Sequence, residues 1–343
     1  MPETLSPHQC TQLVGHRQAF DEVVKAFSSG KMHHAWLIVG EEGIGKATFA
    51  YMAAHYILSG GENNPMQFNT EHPTARLILA ESHPDLLVIR RPVDEKTGAM
   101  KASIPVEEAR KLAPFLSLTP ANGKYRVALI DEAHTLGRNA QNAILKMIEE
   151  PPSNAFIFLT TTTTGMMLPT IKSRCRVLAL NSLTQSEIMT ILSRQMIEIP
   201  DGIDKTRLAE LAGGSVGKAL RIIESEIVPL YDEAIAMLCA LPQIDVIRLH
   251  ELGDKIAKKA EIDRYSILSE LIVETIQRTI SSLARGQGGR HPLAKVLVNK
   301  GGLEQALALW DTARERLASA EASNLDKKLT FINAVSDMSR MCM

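Results

Sequence analysis

The chain has 343 residues, of which 45% are hydrophobic, so it can bury substantial cores and exceeds the usual size of one domain. A formal net charge of -1 excludes the strong basic field of a free-standing nucleic-acid-binding protein, and any DNA contact would be local or shared. No apolar run is long enough to span a bilayer, and residues 1–12 lack a signal-peptide core. We expect a soluble, cytoplasmic protein of two or three domains.

The four cysteines are scattered along the chain, without a Cys-x-x-Cys pair or a Cys/His spacing that indicates zinc. Free cysteine is readily buried, so we expect buried or incidental thiols and no disulfide. These residues are Cys10, Cys175, Cys239 and Cys342.

Short apolar runs alternate with helical stretches in the first half of the chain, a pattern typical of an α/β fold whose parallel sheet is covered on both faces. Helices are predicted at 46–58 and, after Pro105, at 107–116. The polar segment 60–70 predicts a surface excursion, and the threonines at 160–164 predict polar chain at the carboxyl edge of the sheet, where ligands of such folds bind. The predicted strands are 35–39, 86–89, 126–130, 155–159 and 177–180.

After residue 180 the pattern is helical. Thr184 and Glu187 form a predicted capping box, and the glycine-rich residues 213–217 separate two helices. We therefore predict an α/β nucleotide-binding-type domain at 1–181, a small helical lid domain at 182–226 and an all-α C-terminal domain at 227–343. The predicted helices are 186–195, 205–211, 218–225, 230–241, 266–283 and 302–320.

A glycine-rich segment between the first predicted strand and its helix has the pattern of a phosphate-binding loop, or P-loop. Backbone N–H groups in such a loop attract phosphate, and Lys46 would add a positive charge. A chance glycine-rich turn before a helix is the alternative, but strand, loop, lysine and helix together favour nucleotide-binding ancestry. The segment reads Gly40-Glu41-Glu42-Gly43-Ile44-Gly45-Lys46.

Ala47 stands where a nucleotide hydrolase has the serine or threonine hydroxyl that holds magnesium. Thr48 does not simply replace it, because one helical step rotates a side chain by roughly 100°. The sequence leaves open whether ATP or ADP binds with magnesium, and it predicts weak hydrolysis or none.

Asp131 and Glu132 follow an apolar strand, where an aspartate can meet hydrated magnesium and a glutamate can polarise the attacking water. Two solvated carboxylates at a helix start are the alternative. With the P-loop upstream, we interpret the pair as a degenerate or vestigial metal and water site. Together with Ala133 and His134 it also spells a helicase box, but we find neither a second motor core nor a basic track.

Two later stretches are the most specific. Residues 139–152 read Asn-Ala-Gln-Asn-Ala-Ile-Leu-Lys-Met-Ile-Glu-Glu-Pro-Pro, and residues 168–175 end in Ser173-Arg174-Cys175. With the P-loop and the Asp-Glu pair they occur in family order and spacing, so the N-terminal half resembles the clamp-loader branch of the AAA+ superfamily. The C-terminal half resembles that family only in being helical.

The resemblance implies a role for Arg174. In the family, the Ser-Arg-Cys motif lies on the face towards the neighbouring subunit, whose ATP site receives the arginine. A permanently charged planar fork suits the charge that develops on a transferring phosphoryl group. Ser173, Arg174 and Cys175 would thus form a trans arginine finger. The motif alone favours an arginine paired with a surface carboxylate, and it is the whole series of motifs that favours the finger.

Two weaker matches concern nucleotide sensing. Thr161 falls where relatives carry a polar residue that senses the γ-phosphate, and Lys218 matches a lid sensor that is usually arginine in active motors. Lysine lacks the bidentate fork, so this departure also points to weakened nucleotide chemistry. Many relatives carry a four-cysteine zinc module after the first helix, but residues 59–82 contain no cysteine, so we expect no zinc.

Taken together, the resemblance implies an accessory, stator-like subunit of the DNA polymerase III clamp loader, with little or no ATPase activity of its own. The implied partners are gamma/tau-type ATPase subunits and the delta subunit and, through the complex, the sliding clamp and primer-template DNA. The C-terminal helices would join a collar that holds the ring together, and Lys255, Lys258 and Lys259 would form a solvated face and not a DNA site. An active gamma/tau-type ATPase and a scaffold outside replication remain as rival interpretations.

Overall fold

The computed structural model describes residues 5–61, 66–94, 96, 98–201, 203–258, 263–286, 291–298, 302–322 and 325–342. The chain forms two compact units. The first comprises Met1–Ile199 and Lys205–Ala219, and the second comprises Pro200–Asp204 and Leu220–Met343. The finer division into three domains stays a prediction.

The first unit is built on five parallel strands: β1 (Ala35–Val39), β2 (Leu86–Ile89), β3 (Arg126–Ile130), β4 (Ala155–Thr161) and β5 (Arg176–Ala179). Their order across the sheet is β2-β3-β4-β1-β5, with β2 and β5 at the edges. The predicted parallel α/β sheet is therefore confirmed. The β4 strand runs two residues beyond its predicted end because Thr160 and Thr161 are fully buried and still pair with the sheet.

The helices of this unit are α1 (Arg17–Ser28), α2 (Lys46–Leu58), α3 (Pro73–Leu79), α4 (Val106–Arg110), α5 (Leu112–Leu116), α6 (Arg138–Glu149), α7 (Pro169–Lys172), α8 (Gln185–Arg194) and α9 (Lys205–Ala212). Strand alternation divides the sheet side chains between two apolar cores. Trp36 and Ile38 join α1 to α3 on one face, whereas Ala35 and Leu37 join α4 to α6 on the other. This double covering explains why the strands are almost continuously apolar.

The single helix predicted at 107–116 is wrong in one respect, since α4 and α5 are separate and Lys111 lies between them. Pro114 is the physical reason. It has no N–H to donate to the carbonyl of Arg110, and its ring clashes with that carbonyl in a continuous helix.

The remaining helices are α10 (Val216–Ser225), which crosses from the first unit into the second, and α11 (Val228–Cys239), α12 (Val246–Ala257), α13 (Arg264–Ala284), α14 (Leu293–Val298), α15 (Gly302–Ala322) and α16 (Lys327–Met341). The predicted helices after residue 181 are confirmed, with each end within two residues. The capping box is also confirmed, since the Thr184 amide donates to the Glu187 carboxylate at 2.7 Å. The sequence reading missed α12, α14 and α16.

Buried hydroxyl groups tie the helices of the second unit together. Tyr231 on α11 and Thr275 on α13 are 2.8 Å apart, and the Tyr265 hydroxyl donates to the carbonyl of Leu317 on α15. Lys255 on α12 is exposed and pairs with Glu233 at 2.9 Å, whereas Lys259 lies outside the described residues. Within the described part of the chain, no helix has the length and apolar character needed to cross a membrane.

Candidate nucleotide-binding site

The P-loop lies between the end of β1 at Val39 and the start of α2 at Lys46, as the sequence predicts. Gly43 and Gly45 adopt left-handed backbone conformations, with φ of 72° and 97°, which other residues rarely adopt. A Cβ at position 43 would also clash with the Ser215 hydroxyl and lie 2.9 Å from the Cα of Gly217. Glycine is therefore required at position 43 both by backbone conformation and by close packing.

The backbone of the loop has open donor groups. None of the amide N–H groups of residues 42–45 has a hydrogen-bond partner among the described residues. These amides precede α2, whose positive dipole end adds to their attraction for an anion. The loop is therefore suited to bind phosphate.

The Lys46 ammonium folds back over the loop and donates to the carbonyls of Gly40 at 3.0 Å and Glu41 at 2.6 Å. Its side chain is buried, and burial lowers the Lys46 pKa, while the carboxylates of Asp131 and Glu42 act in the opposite direction. A phosphate in the loop would have to compete with these two carbonyls for the ammonium.

Ala47 lies in the first turn of α2 and presents only a methyl group. The neighbouring Thr48 does not supply the missing oxygen, because its side chain lies beside the Cys10 thiol of the N-terminal segment and lowers the pKa of that thiol against the effect of burial. The geometry agrees with the helical rotation that separates positions 47 and 48.

Asp131 and Glu132 lie at the carboxyl edge of the same sheet, after β3. The Asp131 carboxylate accepts hydrogen bonds from the Thr160 hydroxyl at 2.6 Å and from the Glu132 amide at 3.1 Å. Burial raises the Asp131 pKa, and the hydrogen bond from Thr160 works against that rise. Asp131 also interacts with Lys46 through its charge, so the two predicted halves of the site are close enough to influence each other.

Glu132 has a left-handed backbone, with φ of 52°, and its carboxylate accepts a 2.6 Å hydrogen bond from Nε of Arg91. Arg91 follows β2, the neighbour of β3 in the sheet. The contact holds the glutamate in an ion pair and leaves it less free to polarise a water molecule.

Thr161 and Lys218 are both buried. The Thr161 hydroxyl donates to the carbonyl of Thr163 at 2.6 Å, and the Thr161 carbonyl accepts from the Gly40 amide at the start of the P-loop. Lys218 lies in α10, close to Gly217, whose amide donates to the Gly43 carbonyl at 3.0 Å. Their predicted sensor roles stay predictions.

A cavity of about 430 Å³ lies next to the loop, large enough for a small organic ligand. It is lined by the start of α1, the end of β5 and the start of α8, including His16, Leu180 and Glu187. His16 links the cavity to the loop, because its Nε2 lies 2.8 Å from the carbonyl of Ile44.

Arg174 lies at the opposite edge of the sheet from the P-loop. In the parallel pair of β5 and β1, Arg176 lies opposite Trp36. Arg174 therefore lies before the amino ends of these two strands, whereas the P-loop begins at Gly40, after the carboxyl end of β1. The four residue steps from Trp36 to Gly40 alone span roughly 13 Å, which is longer than an arginine side chain. Arg174 therefore does not reach the P-loop of its own chain.

The side chains of the Ser-Arg-Cys motif have different surroundings. Arg174 is 43% exposed and pairs with Glu149 at 3.2 Å, a contact of the kind that the simpler interpretation of this motif predicts. The Ser173 hydroxyl donates to the carbonyl of Thr170. Cys175 packs against the core beneath the sheet, and burial raises the pKa of its thiol to about 12, so the thiol stays protonated at neutral pH.

Four residues of the site were missed by the sequence reading: Arg91, Thr160, His16 and Glu149. For Thr160 a signal exists in the sheet register, because Ile130 on β3 pairs with Leu159 on β4 and so brings Asp131 beside Thr160. That register is a tertiary property, and no local pattern distinguishes Thr160 from Thr161. Among the described residues, no cluster of three or more His, Cys, Asp or Glu side chains is placed to hold a metal.

The sheet, the loop and the acidic pair define the class of the first unit as a parallel α/β domain with a P-loop. A family profile described as "DNA polymerase III, delta subunit" matches residues 15–184. This segment, just under half of the chain, is therefore similar to the DNA polymerase III delta-subunit-like family, in agreement with the predicted resemblance to clamp-loader subunits of that polymerase.

Individual relatives agree with the profile. The chain is 29% identical over 221 residues to a DNA polymerase III subunit gamma from Buchnera aphidicola subsp. Schizaphis graminum, covering 64% of this chain and 58% of that protein. It is 28% identical over 210 residues to DNA polymerase III subunit delta' from Escherichia coli, covering 61% of this chain and 60% of that protein. The chain thus spans less than two thirds of each relative, and the near-equal identities do not separate the gamma and delta' types.

A solved structure gives a more distant comparison. The crystal structure of a DNA polymerase III gamma subunit-related protein from Thermotoga maritima is 16% identical, with a TM-score of 0.44 over 95% of this chain and 100% of that one.

Proposed function

We propose that this chain is an accessory, stator-like subunit of a DNA polymerase III clamp loader, of the delta-prime type, which supports ATP-dependent loading of a sliding clamp on primed DNA. In this function Arg174 enters the ATP site of a neighbouring subunit. The observation that supports the proposal most directly is the separation of Arg174 from the P-loop of its own chain across the length of β1. An arginine in that place can serve a phosphate only on another molecule.

The state of the chain's own site supports the same division of labour. The loop amides and Lys46 fit a phosphate. For magnesium the site offers the Asp131 carboxylate but no hydroxyl at position 47, which is alanine. Magnesium, when bound at a nucleotide, neutralises charge on the β- and γ-phosphates during transfer. We therefore infer that ATP or ADP binds weakly at most and with little dependence on magnesium. The cavity beside His16 is the place for the nucleoside.

A titration of fluorescent ATP into the purified protein, with and without magnesium, tests this part of the proposal. We expect weak binding that changes little with the metal and is lost in Lys46→Ala. Tight binding that requires magnesium would contradict it.

The trans role of Arg174 is tested in the complex reconstituted with cognate gamma/tau-type and delta subunits. We expect Arg174→Ala to assemble normally, because the side chain is exposed and its ion pair contributes little stability. The ATPase rate and the clamp-loading rate of the complex should both fall. Unchanged rates in a fully assembled complex would reject the finger.

An active gamma/tau-type ATPase is the second candidate. The open loop amides and the proximity of Lys46 to Asp131 favour it, since both are parts of a working phosphate site. The isolated protein separates the two candidates. Magnesium-dependent ATP turnover that Lys46→Ala abolishes would establish the active enzyme and overturn the stator.

A further inference from the structure

Three contacts hold the Arg174 guanidinium. Nε lies 3.2 Å from Oε1 of Glu149, and Nη1 donates to the Thr170 carbonyl at 3.3 Å and to the Ser173 hydroxyl at 3.4 Å. Nη2 has no hydrogen-bond partner among the described residues. Nε and Nη1 are therefore occupied, and the Nη2 amino group remains for an external anion.

The carboxylate in this arrangement comes from a rigid part of the fold. Glu149 is the last residue of α6, and Ile144 and Ile148 of the same helix are completely buried in the core. The final turn is also tied to the start of β1, because Nε2 of His34 lies 2.8 Å from the carbonyl of Ile148. The backbone that carries Glu149 is thus fixed against the sheet.

Stability alone does not account for a carboxylate at this position. A negative charge in the last turn of a helix lies at the negative end of the helix dipole, which is unfavourable. The pair with Arg174 is 41% exposed on the Glu149 side and 43% on the Arg174 side, and ion pairs this exposed add little to folding. The gain from the pair lies in restricting a long, flexible arginine side chain to one geometry before an anion arrives.

We propose that Glu149 is a positioning residue for Arg174, holding Nε of the guanidinium so that the remaining Nη2 amino group is presented to the phosphates of a nucleotide on the neighbouring subunit. This inference rests on the trans role of Arg174 proposed above. Glu149 touches no nucleotide itself and acts only through Arg174.

The chain supplies a matched control in the next residue. Glu150 is also exposed and carries the same charge at the same helix end, but it forms no ion pair among the described residues. Glu149→Gln and Glu150→Gln therefore remove the same charge from nearly the same place, and only the first removes an ion pair with Nε.

The experiment compares the wild type, Glu149→Gln, Glu150→Gln, Arg174→Ala and the double variant Glu149→Gln/Arg174→Ala in the reconstituted complex. The kcat and KM for ATP are measured, and assembly and thermal unfolding are checked for each variant. The Arg174-dependent rate is the wild-type kcat minus that of Arg174→Ala. We expect Glu149→Gln to lower this Arg174-dependent rate by about twofold or more at saturating ATP, as loss of an ion pair at the reacting geometry predicts.

The same series gives the opposing outcomes. Glu150→Gln should match the wild type, and the double variant should match Arg174→Ala, since a residue that acts only through Arg174 has no effect once Arg174 is gone. A Glu149→Gln rate equal to or above the wild type, with Arg174→Ala impaired, would overturn the positioning role and leave the trans finger standing. A further fall in the double variant would also overturn it. If Arg174→Ala itself matches the wild type, the proposed function fails and this inference fails with it.

Discussion

The Thr160 hydroxyl donates a 2.6 Å hydrogen bond to the Asp131 carboxylate and accepts one of 2.9 Å from the Glu132 amide. A single buried threonine thus links the end of β4 to both acidic residues that follow β3. The Asp131 carboxylate and the Glu132 backbone are therefore held in place by a residue 29 and 28 positions away, respectively.

We predict that Thr160→Val lowers the free energy of unfolding at neutral pH by about 1–3 kcal/mol, because the variant removes both hydrogen bonds of the hydroxyl and leaves the buried Asp131 carboxylate and the Glu132 amide with only their contact to each other. The pKa of Asp131 should rise further, since the lost hydrogen bond opposes the effect of burial. Urea unfolding at pH 7 measures the loss. Thr160→Ser, which keeps the hydroxyl, serves as the control, and equal stability of the valine and serine variants would contradict the prediction.

His55 predicts a dependence of stability on pH. Its ring is completely buried against Phe68, and neither ring nitrogen has a hydrogen-bond partner among the described residues. Burial, followed by the nearby His72 and His83, lowers the His55 pKa from 6.5 to about 4. The folded state therefore favours the neutral ring.

The His55 pKa is lower in the folded state than in the unfolded state. The contribution of His55 to the free energy of unfolding is therefore fully present above pH 6.5 and is lost as the pH falls towards 4. The loss amounts to about 3 kcal/mol over that interval. Unfolding free energies measured from pH 7 to pH 4.5 should fall less steeply for His55→Phe than for the wild type. Parallel curves would show that His55 does not titrate in this way.

Asp85 and Arg126 form a buried ion pair at 3.2 Å. Asp85 also accepts the amides of Ala121 and Asn122, both at 2.8 Å, so the pair secures the loop before β3. We predict that Arg126→Met costs about 3–5 kcal/mol of stability, since it leaves a carboxylate buried without its cation. Chemical denaturation provides the measurement.

Arg90→Met is the matched control, because Arg90 pairs with Glu81 at 3.1 Å but has a side chain that is 51% exposed. An exposed pair contributes about 0–1 kcal/mol, so this variant should unfold almost as the wild type does. Similar losses in the two variants would disprove the assigned difference between buried and exposed pairs.

The P-loop glycines give a paired test of backbone strain and packing. Gly45 has a left-handed φ of 97° but open space at its Cβ position, whereas Gly43 combines a φ of 72° with the approach of Gly217. Gly45→Ala should cost about 1–2 kcal/mol from backbone strain alone. Gly43→Ala should cost about 1–3 kcal/mol more from overpacking. Thermal unfolding measures both losses of stability. A Gly43→Ala variant as stable as Gly45→Ala would show that the residues around position 43 make room for the Cβ at no cost in stability.

Local patterns were sufficient for much of the fold. Continuous apolar runs predicted all five strands, because strands of a parallel sheet are buried on both faces. Thr184 and Glu187 predicted the start of α8, since a capping box satisfies its amides within three residues. The break in the helix at Lys111 could have been predicted in the same way, because Pro114 affects only the four residues before it.

The sequence by itself determined most of the elements, the P-loop, the missing hydroxyl at Ala47 and the resemblance of the N-terminal half to clamp-loader subunits, because each depends on residues that lie close together in the chain. Only the tertiary structure decided that Thr160 bonds Asp131, that Arg91 pairs with Glu132, and that Arg174 lies far from the P-loop of its own chain but beside Glu149. Each of these relationships depends on strand order and register, which are set by packing of the whole sheet and leave no trace in a local pattern.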